Sequence, residues 1–119
     1  MKLIECVPNI SEGRNKKIIN KIIDNLKSNK SIELLDYDIG YDTNRTVITF
    51  VGEPDIVISA ACELIIDTYN LIDMSKHKGA HPRMGATDVC PLVPIANISM
   101  EECVKWAHIL GKRVGKELG

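Results

Sequence analysis

Two histidines, His77 and His81, stand four residues apart in the stretch His77-Lys78-Gly79-Ala80-His81-Pro82-Arg83-Met84-Gly85-Ala86-Thr87-Asp88-Val89-Cys90-Pro91-Leu92-Val93-Pro94. Imidazole changes charge near neutrality, so such a stretch can move protons. Lys76, Lys78 and Arg83 are close to His81 in sequence; if they are also near in space, they keep its ring neutral at pH 7. The same cations can hold anions, arginine by two parallel bonds to a carboxylate. Gly79 and Gly85 permit a close backbone approach to a ligand, and an ordinary turn explains them nearly as well. Histidines at i and i+4 can also hold a metal on a helix. Here Gly79 and Pro82 oppose a helix and no third ligand is suitably spaced, so no metal is expected. Read alone, the pattern favours a plainer role for His81, a loop imidazole bonded to a backbone carbonyl.

A second polar set lies upstream. Asp36 and Asp38 alternate on one strand and so share a face. Arg45 opens the next strand with Asn44 just before it. Arg14 opens the first helix, where helix-end amides also favour anions. Each of these cations by itself is more simply a solvated surface charge.

The elements that must position these groups follow from periodicity. Leu3–Val7 reads as a first strand, stopped by Pro8-Asn9, and Ile10–Asn15 as a polar loop. Ile18, Ile19, Ile22, Ile23 and Leu26 recur at helical spacing. Ile32–Ile39 and Arg45–Gly52 read as strands joined by the turn Gly40–Thr43, which predicts an antiparallel hairpin. Pro54 suits the first turn of a second helix, buried along Ile56, Val57, Ala60, Ala61, Leu64 and Ile65. A loop over Asp73–Gly85 precedes a fourth strand, Asp88–Val93. Ser99 with Glu102 forms a capping box for a third helix, whose apolar face is Met100, Cys103, Val104, Ala107, Leu110 and Val114. The order is an α+β, ferredoxin-like βαββαβ plan with an additional C-terminal helix: a mainly antiparallel sheet with helices on one face. Asp36 and Asp38 predict that the other face is polar.

Composition narrows the functional classes. The 119 residues amount to one domain, 1–119, with 45% hydrophobic and 26% charged residues, ordinary for a globular chain. Fifteen basic residues against sixteen acidic ones leave no field to attract nucleic acid or an anionic membrane. One Trp, three Tyr and one Phe are too few for a base-stacking platform. The apolar runs fall far short of the roughly 20 residues a membrane helix needs, and no secretion signal is evident. Cys6, Cys62, Cys90 and Cys103 form no CxxC pair and sit in apolar patterns, as free buried thiols of a reduced, cytoplasmic protein would.

Three blocks, taken in order, resemble a known family. They are Cys6-Val7-Pro8-Asn9-Ile10-Ser11-Glu12-Gly13-Arg14-Asn15, then Thr43-Asn44-Arg45-Thr46-Val47 with Phe50-Val51-Gly52, then His77–Pro94. The chain is similar over essentially all its length to the N-terminal subdomain of glutamate formimidoyltransferase (formiminotransferase). The resemblance implies transfer of a formimino group from N-formimino-L-glutamate to tetrahydrofolate during histidine degradation, with tetrahydrofolate as co-substrate and no metal. It implies a second, similar subdomain as partner, with the folate site between the two, and leaves room for a homodimer or an attached cyclodeaminase. The chain then reads as part of a longer enzyme.

By the same resemblance His81, in His-Pro-Arg-Met-Gly, takes the place of the catalytic histidine and Asp38 that of the active-site aspartate. Arg45, Asn44, Arg83, His77, Lys78 and Gly79 would contact substrate. Two other functions fit the residues: a non-catalytic module binding folate or glutamate, and a subunit-interaction domain whose open sheet face pairs with another subunit.

Overall fold

Alternation along one strand decides which way the sheet faces. In Arg45–Gly52, Thr46, Ile48, Phe50 and Gly52 are buried while Arg45, Val47, Thr49 and Val51 are half-buried, as a period of two requires when one face is covered. The computed structural model describes residues 1–72 and 87–118, with residues 87–89 as backbone alone. In chain order its elements are β1 (Leu3–Cys6), β2 (Asn9–Ile10), α1 (Lys16–Lys27), β3 (Glu33–Gly40), β4 (Arg45–Gly52), α2 (Pro54–Leu71), β5 (Thr87–Val89), β6 (Leu92–Ala96) and α3 (Met100–Leu118).

The expected first strand is continued past Pro8 by β2, and the expected fourth strand is two segments, β5 and β6, that reach Ala96 instead of ending at Val93. Pro8 and Pro91 lack the N–H that an unbroken ladder needs. The two interruptions meet, because the Val7 N–H donates to the Pro91 carbonyl at 3.1 Å, and the Pro8 carbonyl accepts from Ile48 N–H at 3.0 Å. Counting each interrupted pair as one strand, the lateral order is β3, β4, β1/β2, β6/β5, all antiparallel. This is the ferredoxin-like arrangement with α3 added. The hairpin of β3 and β4 is present as expected, with a bulge between Leu34 and Asp36.

One apolar cluster joins sheet and helices: Ile4, Cys6, Ile10, Ile48 and Phe50 from the strands, Ile19, Ile22, Ile23 and Leu26 from α1, Val57, Ile58, Ala61 and Leu64 from α2, and Cys103 and Leu110 from α3. The second helix is buried more widely than its predicted stripe, since Ile58, Cys62 and Thr68 are also inside while Ile56 and Ile65 are half-buried. It packs against both α1 and α3 as well as the sheet, so nearly all its sides are covered.

The apolar face predicted for the third helix is corrected. Its inward stripe is Cys103, Trp106, Leu110 and Val114, while Met100, Val104 and Ala107 are exposed. The sequence carries two apolar rows on this helix, and the row with the large indole contributes more buried area. Ser99 caps it as predicted, its Oγ accepting the Glu102 N–H at 3.1 Å. The Glu102 carboxylate pairs with Lys2 Nζ at 2.6 Å.

The uncovered face carries the expected polar groups, with Glu5 and Thr49 on it as well as Asp36 and Asp38, and an apolar part besides. It is acidic along β3, at Glu33, Asp36 and Asp38, but Val47 and Val51 line its middle and the exposed Val93 and Ile95 its far side. Among the described residues no helix is long and apolar enough to cross a membrane.

Candidate functional site

The segment Ser11–Asn15 is pressed against the turn between β3 and β4, and this contact fixes one end of the open face. Gly13 makes it possible. A Cβ built there would lie 2.6 Å from Arg45 N and closer still to the Gly40 carbonyl, distances no side chain tolerates. The Gly13 N–H donates to Asn44 Oδ1 at 2.8 Å. Asn44 is buried and holds a left-handed backbone, φ 52°, a conformation asparagine accepts more readily than most residues. The Glu12 carbonyl accepts from Thr46 Oγ1 at 2.6 Å. The Glu12 carboxylate accepts the backbone N–H groups of Arg14 and Asn15, each at 3.0 Å. Asn15 then caps α1 by accepting from Lys17 and Ile18 N–H.

Arg14 serves this frame. Its guanidinium donates to the Tyr41 carbonyl at 2.9 Å and the Asp42 carbonyl at 3.3 Å, and lies 5.2 Å from the Tyr41 ring centre. Two of its donors are thereby committed to the turn.

On the face so fixed, strand register sets the neighbours. Asp38 opposes Val47, and Val47 opposes Asn9 on its other side, so the three form a row across the sheet. Arg45 lies two residues from Val47 on the same face of β4 and opposes Gly40. Diagonal neighbours of this kind are about 7–8 Å apart. Among the described residues the side chains of Asp38 and Arg45 make no hydrogen bond or ion pair, and Lys2–Glu102 is the ion pair formed. An unpaired carboxylate and an unpaired guanidinium therefore share one end of the open face. They can grip a small ligand carrying both an anionic group and a cationic or proton-donating one.

The polypeptide returns to this end after the second helix. It enters β5 at Thr87, which opposes Ile10; Ile10 opposes Thr46, and Thr46 opposes Ile39. Thr87 is thus two strands, roughly 10 Å, from the residue next to Arg45. His81, His77, Lys78, Gly79 and Arg83, with Lys76 and Gly85, lie outside the described residues. Of the expected site residues, Asp38, Arg45 and Asn44 are therefore the ones brought together: Asp38 and Arg45 as accessible charges, Asn44 as a buried group bonded to Gly13. Among the described residues no cluster of His, Cys, Asp or Glu could hold a metal.

The sequence reading did not single out the structural work of Gly13, Glu12 and Thr46. Gly13 beside a polar pair was the available signal, but its partner across the fold, the Gly40–Arg45 turn, is about 30 residues away in the chain. All four cysteines are free, as expected, and Cys6 Sγ lies 3.4 Å from Cys90 Sγ. Cys90, read as core, is half-buried against the core. The Cys90 contact, with burial, pushes the Cys6 thiol up, and the same contact pulls the Cys90 thiol down.

Residues 3–119 match the family described as the formiminotransferase domain, N-terminal subdomain. Formimidoyltransferase-cyclodeaminase of Gallus gallus is 55% identical over 99% of this chain and 22% of its own length. Glutamate formimidoyltransferase of Thermoplasma acidophilum is 47% identical over 100% of this chain and 39% of its own. The corresponding enzyme of Streptococcus pyogenes serotype M1 is 45% identical over 99% and 40%. The chain thus spans between about a fifth and two fifths of these relatives. With its match running from Leu3 to Gly119, this chain belongs to the formiminotransferase N-terminal subdomain family.

Proposed function

We propose that this chain is the N-terminal part of a glutamate formimidoyltransferase, moving a formimino group from N-formimino-L-glutamate to tetrahydrofolate in histidine degradation. The observation that carries the reading is the unpaired Asp38 and Arg45 on the open face, in a family whose curated members bear that enzyme name. Arg45 is the group for a substrate carboxylate, held bidentately. Asp38 is the group for the formimino nitrogen, because an amidine carries positive charge readily and a carboxylate stabilises it.

An amine nitrogen of tetrahydrofolate attacks the formimino carbon, a tetrahedral intermediate forms, and the carbon–nitrogen bond to glutamate breaks. One proton must leave the attacking nitrogen and one must reach the departing nitrogen. His81 takes this general acid/base role, since a single imidazole titrating near neutrality can do both. Arg83, His77, Lys78 and Gly79 complete the substrate contacts, and Asn44 acts beside Arg45. A second formiminotransferase subdomain closes the folate side, and the protein works in the cytoplasm without a metal.

The test is a formimino-transfer assay on this chain with both substrates, alone and with the second subdomain supplied. Turnover is expected when the partner is present. His81→Ala should lower kcat by about 10²–10⁴-fold, the usual share of general acid/base catalysis. Arg45→Ala should raise KM for N-formimino-L-glutamate by about ten- to hundredfold, as loss of a charged hydrogen bond does. Turnover surviving His81→Ala nearly intact would remove His81 from the role. A folded sample binding both substrates with no turnover in either arrangement would instead identify a binding module.

A further inference from the structure

The two interruptions of the sheet meet, and a pair of thiols sits at the meeting point. Cys6 ends β1 and is wholly buried; Cys90 occupies the break between β5 and β6 and is half-buried. Their sulfurs are 3.4 Å apart, beside the Val7-to-Pro91 backbone bond that holds the two strands together. The transfer chemistry above uses neither. We propose that Cys6 and Cys90 are a modification site, a dithiol that a peroxide-class oxidant converts into an intramolecular disulfide.

Geometry makes the pair competent. A disulfide spans about 2.05 Å, so the sulfurs must close by roughly 1.4 Å, a distance that side-chain rotation and a small strand adjustment can supply. Accessibility sets the order of events. Cys90 is the thiol solvent can reach, and its contact with Cys6 favours its thiolate, the form that reacts. The Cys90 thiolate attacks one peroxide oxygen; the sulfur–oxygen bond forms, the oxygen–oxygen bond breaks, and the departing hydroxide takes up a proton to become water. Cys6 sulfur then attacks the Cys90 sulfenic acid. The sulfur–sulfur bond forms, the sulfur–oxygen bond breaks, and the Cys6 proton leaves with the hydroxyl as a second water. Two thiols are oxidised by two electrons, and one peroxide is reduced to two waters. The other two cysteines are poorer candidates. Burial pushes the Cys62 and Cys103 thiols up, and neither has a sulfur neighbour among the described residues.

The disulfide would tie the β1–β2 break to the β5–β6 break, on the helix-covered side of the sheet where Cys6 lies. The inference stands on this contact and not on the transfer reaction, so each can fail without the other.

The experiment treats the native polypeptide with hydrogen peroxide and maps its unreduced peptides by mass. The expected result is a Cys6–Cys90 linked peptide that disappears on adding a thiol reductant and is absent from Cys90→Ser. With dimedone present during a brief exposure of the wild type, the sulfenic acid should be trapped on Cys90 in clear excess over Cys62 and Cys103. Wild-type mapping needs no variant to fold, and circular dichroism checks those that are made. The proposal is overturned if Cys90 proceeds to sulfinic acid without a linked peptide, if all four cysteines oxidise alike, or if the pair stays reduced at peroxide levels that oxidise a small thiol.

Discussion

Along β4, Thr46, Ile48 and Phe50 point to the helices and are wholly buried, whereas Arg45, Val47 and Thr49 point to the open face and stay accessible. The two faces arise from the same eight residues by alternation. They differ in what covers them. One is filled by α1, α2 and α3; on the other, the Asp38 and Arg45 charges meet no partner among the described residues. Charges left in contact with water contribute little to stability, so that face is free to carry recognition, while the covered face carries the fold.

The comparison can be broken most directly at Phe50, one of the largest wholly buried side chains. Phe50→Ala should cost about 3–5 kcal/mol, a large part of the ~5–15 kcal/mol that holds a domain together, and urea unfolding should show it. A loss below about 1 kcal/mol would mean the covered face is not where stability resides. Gly13→Ala comes next, at about 1–3 kcal/mol, because its Cβ would meet backbone atoms of Gly40 and Arg45 that cannot step aside. It is the one change expected to cross between the faces: by displacing the turn that carries Arg45, it should lower transfer activity along with the unfolding midpoint.

Asn15→Ala should remove about 1 kcal/mol by uncapping α1 and leave substrate binding unchanged; a rise in KM would tie the cap to the site. Asp38→Asn should move stability least, within about 0.5 kcal/mol, since Asp38 is exposed and unpaired. Its transfer activity should still fall about ten- to hundredfold. A large stability loss with unchanged activity at Asp38 would reverse the assignment of the two faces.

Much of the fold was legible because its signals are local. The bounds of β4, the hairpin it forms with β3, the Pro54 start of α2 and the Ser99 cap of α3 each depend on a few adjacent residues. Errors came where a choice depended on distant partners. Periodicity alone runs the inward stripe of α3 through Met100 and Val104, yet Trp106 takes the inside because α2 and β6 lie on its side. The local pattern ends the fourth strand at Val93, but Pro94 and Ala96 are held by β1. Of the candidate site, Asp38 and Arg45 were readable as charges at strand ends, but that both remain unpaired needed the register of β3 on β4.

By itself the sequence determined the alternation of strands and helices, the placing of two carboxylates on one strand face, and the family to which the chain belongs. Those properties depend on residue type and spacing, which periodicity exposes. The tertiary structure alone decided three further things: that Gly13 must be glycine, that Asn44 Oδ1 holds the Gly13 loop, and that Cys6 and Cys90 touch. Each is a contact between segments roughly 30 to 80 residues apart. Such contacts form only once apolar burial has drawn the strands together, which no local pattern encodes.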